Sequence, residues 1–313
     1  MQYFSTNDAF EIVKAEGLLS NIQVFRRYLQ DDQIPGAFQL SKKEGWKIPE
    51  DSLYHFLIKR KGKENIQTNF IQRSFYRLKE ELPEEYVQDV LVRLAHHSSA
   101  LEGNSISLAD TVSIILYGKV PRALDKRELL EVDNHIEAWE LVLDSVQREE
   151  PLDINKILAI HERLMNKLLQ DKGAFKTLDN RIVGADFQTT SFQQTPYFMK
   201  QWVDNVSWML PKASSKTEII RMVGNFHIQF ERIHPFSDGN GRTGRLLMNY
   251  SLVQNGIVPL ILEGNDRATY IDILSTQDMD NFMELAMPLI EKEEARLKKF
   301  QQKEKMKIEL NDS

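Results

Sequence analysis

Residues 234–245 read His-Pro-Phe-Ser-Asp-Gly-Asn-Gly-Arg-Thr-Gly-Arg, and the residues on either side give this stretch a fixed address. Ahead of it, Ser215 with Glu218 three positions on has the form of a capping box that opens a helix. Ile219, Met222, Val223, Phe226, Phe230 and Ile233 then recur at helical spacing as one apolar stripe. Such a stripe is core, and it delivers whatever follows Ile233 to a set place. Behind the stretch, a second helix is predicted from about Arg242 to Gln254. Asn255-Gly256 stops it and Pro259 prevents its continuation.

Between the two helices lies a Gly-Asn-Gly turn. Glycines permit backbone angles at which consecutive N–H groups converge on an anion. The helix N-terminus that follows adds free donors and the positive end of its dipole. Arg242 and Arg245 open that helix and are suited to fork onto phosphate oxygens. Asp238 stands just ahead of the turn, where one carboxylate suffices for Mg²⁺ if phosphates supply other ligands. His234 lies beside these groups as a candidate general base.

The rest of the chain reads as mainly helical. Val87, Val90, Leu91 and Leu94, with Ser98 one turn on, share a helical face that should end at Gly103-Asn104. Further helices are expected at Leu108–Tyr117, Glu128–Val146, Asp153–Leu169 and Met279–Ile290, the last bent at Pro288. Asn180 to Tyr197 resists helical assignment and suggests a short β-hairpin or flap. Residues 1–80 are mixed, with turn formers at Asp31–Gly36 and Lys42–Pro49 and a basic cluster at Lys59–Lys63 read as a solvated loop. Leu82-Pro83 punctuates the chain. Three parts are therefore expected: an attachment of unknown role at 1–80, a helical domain at 81–290, and a charged tail at 291–313 forming a solvated, fraying helix.

Composition narrows the function. The 313 residues are 42% hydrophobic and 27% charged, ordinary for a globular protein. Cysteine is absent, which excludes disulfides, thiolate metal sites and cysteine nucleophiles. The formal net charge of -6 argues against coating nucleic acid, which needs many Lys and Arg contacts. The N-terminal residues lack a signal-peptide pattern, and no run is apolar enough to span a membrane. A cytoplasmic location is the expectation.

The stretch 234–245 resembles the signature of the Fic domain family, His-x-Phe-x-Asp/Glu-Gly-Asn-Gly-Arg-x-x-Arg, at every defining position. With its flanking helices the resemblance covers roughly residues 85–290 and implies a Fic-type helical bundle with a short β-hairpin flap near the active site. It implies a protein adenylyltransferase that moves AMP from ATP to a Ser, Thr or Tyr hydroxyl. His234 would take the hydroxyl proton and Phe236 would anchor the loop. Asp238 would hold Mg²⁺ or Mn²⁺, and Gly239, Asn240 and Gly241 would cradle the phosphates. Arg242 and Arg245 would neutralise the β- and γ-phosphates. The flap near 180–197 would dock the target protein, and Tyr270 stands where family members line the nucleobase pocket or where a tyrosine is simply buried.

Ser98-Ser-Ala-Leu-Glu102-Gly103 resembles the family's inhibitory motif, so a helix near 85–102 would precede the catalytic core. Ser98 and Glu102, four apart, share a helix face. Glu102 would pair with Arg245 and take the place of the γ-phosphate. Two alternatives keep the same residues: a hydrolase that removes AMP from modified protein, and a catalytically silent nucleotide-sensing or DNA-binding regulator. The family resemblance also allows self-labelling and pairing of two copies. His96, His97, His135, His161 and His227 read as polar helix positions or satisfied core groups.

Overall fold

Asn240–Gln254 is a helix buried along nearly its whole length, and the helices of its unit are arranged around it. The computed structural model describes residues 3–15, 17–34, 36–41, 45–49, 52–53, 56–57, 60, 82–120, 124–180 and 188–311. The chain divides into two units, Met1–Ile71 and Gln72–Ser313.

In the first unit, β1 (Tyr3–Phe4), β2 (Phe38–Ser41) and β3 (Gly45–Pro49) form an antiparallel sheet in the order β1-β3-β2. Phe4 pairs with Ile48 and Gln39 with Trp46, and the register shifts between Gln39 and Ser41. Helices α1 (Thr6–Ala15) and α2 (Ile22–Gln30) accompany the sheet, and Asn21 caps α2 by accepting from the Gln23 N–H at 2.8 Å. Phe10, Phe25, Leu29, Ile34 and Ile48 fill the core. Turn formers between Lys42 and Pro49 suggested a loop, yet Gly45–Pro49 is the central strand. Ile48 is wholly buried, and that anchor outweighs the turn propensity of its neighbours. Of the basic cluster only Arg60 is among the described residues; its Nη2 donates to Gln33 Oε1 at 2.7 Å.

In the second unit follow α3 (Glu84–Leu101), α4 (Leu108–Tyr117), α5 (Lys126–Gln147), α6 (Ile154–Leu164), α7 (Thr195–Met209), α8 (Lys216–Ile233), α9 (Asn240–Gln254), α10 (Arg267–Thr276) and α11 (Met279–Asn311). Ser215 caps α8 by accepting from the Glu218 N–H at 3.2 Å. The Glu218 carboxylate reaches one residue past the usual box and accepts from the Ser214 N–H at 2.7 Å. Ile219, Val223, Phe226, Phe230 and Ile233 are buried as the stripe predicts. Gly224 lets α8 approach α11, since a Cβ there would lie 2.2 Å from the Phe282 ring.

Two segments differ from expectation. Residues 181–187, part of the expected hairpin, lie outside the described residues. Residues 188–194 have no regular secondary structure, and Thr195–Tyr197 is already α7, with Pro196 in the first turn where its missing N–H costs nothing. The described strands all belong to the first unit.

Helix α11 does not stop at Ile290 but carries Pro288 inside it and runs to Asn311. Its charges form a ladder with α3. Arg93 makes two bonds of 2.8 Å to Glu293, Arg296 pairs with Asp89, and Lys303 reaches Glu85 at 2.7 Å. Leu297 is buried and Phe300 packs against Tyr86. No described helix is long and apolar enough to cross a membrane.

Candidate active site

Helix α8 ends at Ile233, and His234 turns the chain with φ 50° and ψ 61°, the left-handed region. Its N–H still closes the helix on Phe230 O at 2.9 Å. The imidazole Nδ1 lies 3.2 Å from the Glu231 carbonyl oxygen, which only accepts, so Nδ1 carries the proton and Nε2 the lone pair. Burial pushes the imidazole pKa down to about 4, with Lys176 adding to the effect, so His234 is neutral at physiological pH.

The loop after His234 is held by side chains from three directions. Phe236 is fully buried and stacks on His161 with ring centroids 3.6 Å apart. The His161 Nε2 lies 3.0 Å from Asp238 O, while its Nδ1 accepts from the Gly173 N–H at 3.0 Å. Asn240 closes the loop on itself: its Oδ1 accepts from the Phe236 N–H at 2.9 Å and its Nδ2 donates to Phe236 O at 2.8 Å. Asn180 Nδ2 donates to the same carbonyl at 2.7 Å. The Lys176 ammonium donates to Asn180 Oδ1 at 2.7 Å and to Ile233 O at 3.3 Å, and burial lowers its pKa to about 8.

Gly239, at φ 77°, is the N-cap of α9 and admits Met165, whose sulfur would lie 2.5 Å from a Cβ. A Cβ on Gly241 would lie 2.3 Å from Glu102 Oε1 and 3.0 Å from Arg245 Nη1. Glycines at 239 and 241 thus let Met165 and the Glu102 carboxylate lie against the first turn of α9.

The structure brings Ser98, Glu102 and Arg245 together. Arg245 is buried; its Nε donates to Ser98 Oγ at 3.0 Å and its Nη2 to Ser98 O at 2.8 Å and Glu102 Oε1 at 2.7 Å. Burial works against the charge on Arg245, and the adjacent Glu102 more than offsets it. Partial burial likewise opposes ionisation of Glu102, yet Arg245 keeps its carboxyl below the usual range. Arg242, 3% exposed, has its Nη1 3.3 Å from Glu131 Oε1 and its Nη2 3.9 Å from Asp238 Oδ1. Its Nε has no hydrogen-bond partner among the described residues, while its Nη1 is held by the Glu131 carboxylate as an ion pair. A buried donor left open in this way suits an incoming anion. Asp238 is half-exposed and also accepts from Arg127 Nη2 at 3.3 Å.

Tyr270 is 4% exposed, with its hydroxyl 2.8 Å from His227 Nε2 and the Arg245 guanidinium beside it, so it is buried against the inner side of the site. Four residues of the site gave no signal in sequence: Glu131, Lys176, Asn180 and Glu231. Glu231 is buried behind Arg245, and burial raises its carboxyl pKa to about 8. Gly244 makes room for it, since a Cβ there would lie 2.2 Å from Glu231 Oε1.

Residues 151–252, which contain this loop and both its helices, match the Fic/DOC family. A protein adenylyltransferase Fic of Aedes aegypti is 30% identical over 206 residues, 63% of this chain and 38% of that protein. Protein adenylyltransferase fic-1 of Caenorhabditis elegans is 29% identical over 209 residues, 66% of this chain and 40% of that protein. The chain thus spans about two fifths of the length of these relatives. A Fic-domain signaling protein of Bacteroides thetaiotaomicron shares the fold at TM-score 0.59 and 21% identity, covering 74% of this chain and 94% of that one. The solved structure of Fic-1 (aa134 - 508) from C. elegans does so at TM-score 0.56 and 20% identity, covering 91% of this chain and 86% of that one. The loop from His234 to Arg245 thus lies inside the segment of the second unit that matches the Fic/DOC family.

Proposed function

We propose that the chain transfers AMP from ATP to a hydroxyl side chain of a target protein, with His234 as general base and Glu102 as an internal brake. One observation carries the reading: the Glu102 carboxylate lies against Gly241 in the first turn of α9 and pairs with buried Arg245 at 2.7 Å. A carboxylate in that place mimics a terminal phosphate, and the donors around it are those a triphosphate needs.

In the reaction, the target hydroxyl oxygen bonds to the α-phosphorus while the bond to the bridging oxygen of the β-phosphate breaks. Pyrophosphate leaves, and the hydroxyl proton passes to His234 Nε2. Because burial keeps the imidazole neutral, that nitrogen is available at pH 7. Lys176 and Asn180 hold the carbonyls on either side of His234, which fixes its position relative to the phosphate cradle. Arg242 contributes its open Nε donor, and Gly239, Asn240 and Gly241 contribute backbone amides.

The site fits a divalent cation of the Mg²⁺ type. Asp238 is a half-exposed hard oxygen donor beside the cradle, and such ions take one or two carboxylates with phosphate and water. When bound, the ion would offset phosphate charge.

The test is label incorporation from α-labelled ATP with Mg²⁺, into the protein itself and into a lysate. Wild type, Glu102→Gly and Glu102→Gly/His234→Ala are compared. Strong label only in Glu102→Gly supports transfer and brake together, because loss of a general base costs about 10²–10⁴-fold. Label at equal strength in the double variant would refute the role given to His234. No label in any form would sink the transferase reading and turn the search to AMP removal.

A further inference from the structure

Glu131, on α5, is 8% exposed and uses its two oxygens on two different elements. Oε1 lies 3.3 Å from Arg242 Nη1 and 3.4 Å from Arg127 Nε. Oε2 accepts from Asn104 Nδ2 at 3.0 Å. Asn104 is two residues past Glu102, and its side chain is fully engaged. The amide nitrogen also donates to Glu128 O at 3.1 Å, and Oδ1 accepts from the Ile106 N–H at 3.0 Å. The Glu128 carboxylate takes the Ser105 N–H at 2.6 Å.

These contacts matter because of where Glu102 sits. It is the C-cap of α3, followed by Gly103 at φ +99° with nothing near its α-carbon that a side chain would touch. Helix ends of this kind fray, and a glycine adds freedom. Its carboxylate is 40% exposed, and an ion pair so open to solvent holds a chain end weakly. The seating of Glu102 on Arg245 therefore depends on what fastens the residues beside it. On one side Arg267 Nε donates to Leu101 O at 3.1 Å; on the other stands the Asn104 side chain on Glu131.

We propose that Asn104 and Glu131 form the latch of the brake: Asn104 docked on Glu131 keeps Glu102 on Arg245, and Glu131 is the positioning residue that fixes Arg242 for phosphate. Glu131 thus links the inhibitory segment to Arg242, one turn before Arg245 on α9. Release of Asn104 frees Glu102 while leaving the cradle intact. The inference rests on the brake reading above and adds the device that sets it.

The test compares initial labelling rates and ATP KM for Asn104→Ala and Glu131→Gln, each in wild-type and Glu102→Gly backgrounds, with amide hydrogen exchange alongside. Asn104→Ala is expected to raise wild-type labelling several-fold and to change nothing in the Glu102→Gly background. A merely structural role would lower both. Glu131→Gln in the Glu102→Gly background is expected to raise ATP KM at least fivefold, with kcat within twofold. In protein without nucleotide, Asn104→Ala should speed exchange of the Glu102, Gly103 and Asn104 amides, which donate to Ser99 O and Ala100 O at 3.0–3.1 Å, by tenfold or more. If Glu102→Gly labels strongly but Asn104→Ala leaves wild-type labelling and exchange unchanged, the latch is wrong and the brake stands. If Glu102→Gly itself labels no better than wild type, the brake reading fails and the latch falls with it.

Discussion

Replacing Glu102 by Gln keeps the shape at the head of α9 and removes the charge. Two unit charges about 4 Å apart attract by about 4 kcal/mol at an effective dielectric constant near 20. The Glu102 carboxylate is 40% exposed, so solvent screening cuts that figure by half or more, to about 1–2 kcal/mol. ATP must displace the carboxylate to reach Arg245, so the difference appears in ATP affinity as a gain of roughly tenfold.

A second consequence comes from Arg245, which is 5% exposed and would lose its counter-ion. Its bonds to Ser98 Oγ and Ser98 O remain, so the protein folds, but the nucleotide-free form should melt several degrees lower. ATP should recover more melting temperature in Glu102→Gln than in wild type, because the ligand supplies the missing charge. Titration calorimetry and thermal melts with and without MgATP check both. Acid is no substitute for the mutation. The folded-state pKa of Glu102 is lowered, so the contribution of the pair is present above about pH 4.5 and is lost only as pH falls below it. Equal ATP affinities in the two proteins, or a nucleotide-free variant that melts higher, would refute the reasoning.

Gly224→Ala should cost about 1–3 kcal/mol by overpacking, because its Cβ would lie 2.2 Å from the buried Phe282 ring; urea unfolding should show a lower midpoint with an unchanged slope. Burial depresses the pKa of His135 and His227 to about 3 and of His161 and His234 to about 4. The unfolded chain therefore binds protons first, and stability that is complete above about pH 6.5 should fall steeply towards pH 4, by up to about 1.4 kcal/mol per pH unit for each group. Urea midpoints that stay level from pH 7 to pH 5 would contradict the burial of these rings. Lys176→Met removes the ammonium that grips Ile233 O and Asn180, so labelling should fall by about 10–100-fold through displacement of His234 while ATP affinity stays within twofold. A loss of ATP affinity equal to the loss of rate would show instead that the whole loop had collapsed.

The parts of the fold legible in sequence are those whose signal is local. The stripe from Ile219 to Ile233 names a buried helix because 3.6-residue spacing needs no partner to be read, and the loop that follows keeps base, carboxylate, glycines and arginines within twelve positions. Ser98 and Glu102 were legible for the same reason, being four apart. Strands of two to five residues are too short to show alternation, so the sheet of the first unit was hidden and Gly45–Pro49 looked like a turn. The charges after Ile290 looked solvated because their partners, Asp89, Arg93 and Glu85, lie about two hundred residues earlier.

Glu131 was illegible in a more instructive way, since nothing distinguishes it from any other glutamate on a long amphipathic helix. Its importance is a matter of charge balance that only three dimensions reveal. Arg127, Arg242 and Arg245 surround the cradle, and Glu102, Glu131 and Asp238 face them, so these three arginines meet three carboxylates, with the Lys176 ammonium apart on the His234 side. Glu231 adds no charge at neutral pH, because burial keeps it protonated up to about 8. Arginines so matched offer a triphosphate little net attraction until something changes. The balance shifts if Glu102 withdraws and leaves Arg245 uncompensated, or if a divalent cation arrives with the nucleotide at Asp238. The proposed brake and the proposed metal site are thus two answers to one electrostatic condition. The sequence motif, which contains Asp238, Arg242 and Arg245 but neither Glu131 nor Arg127, does not contain that condition.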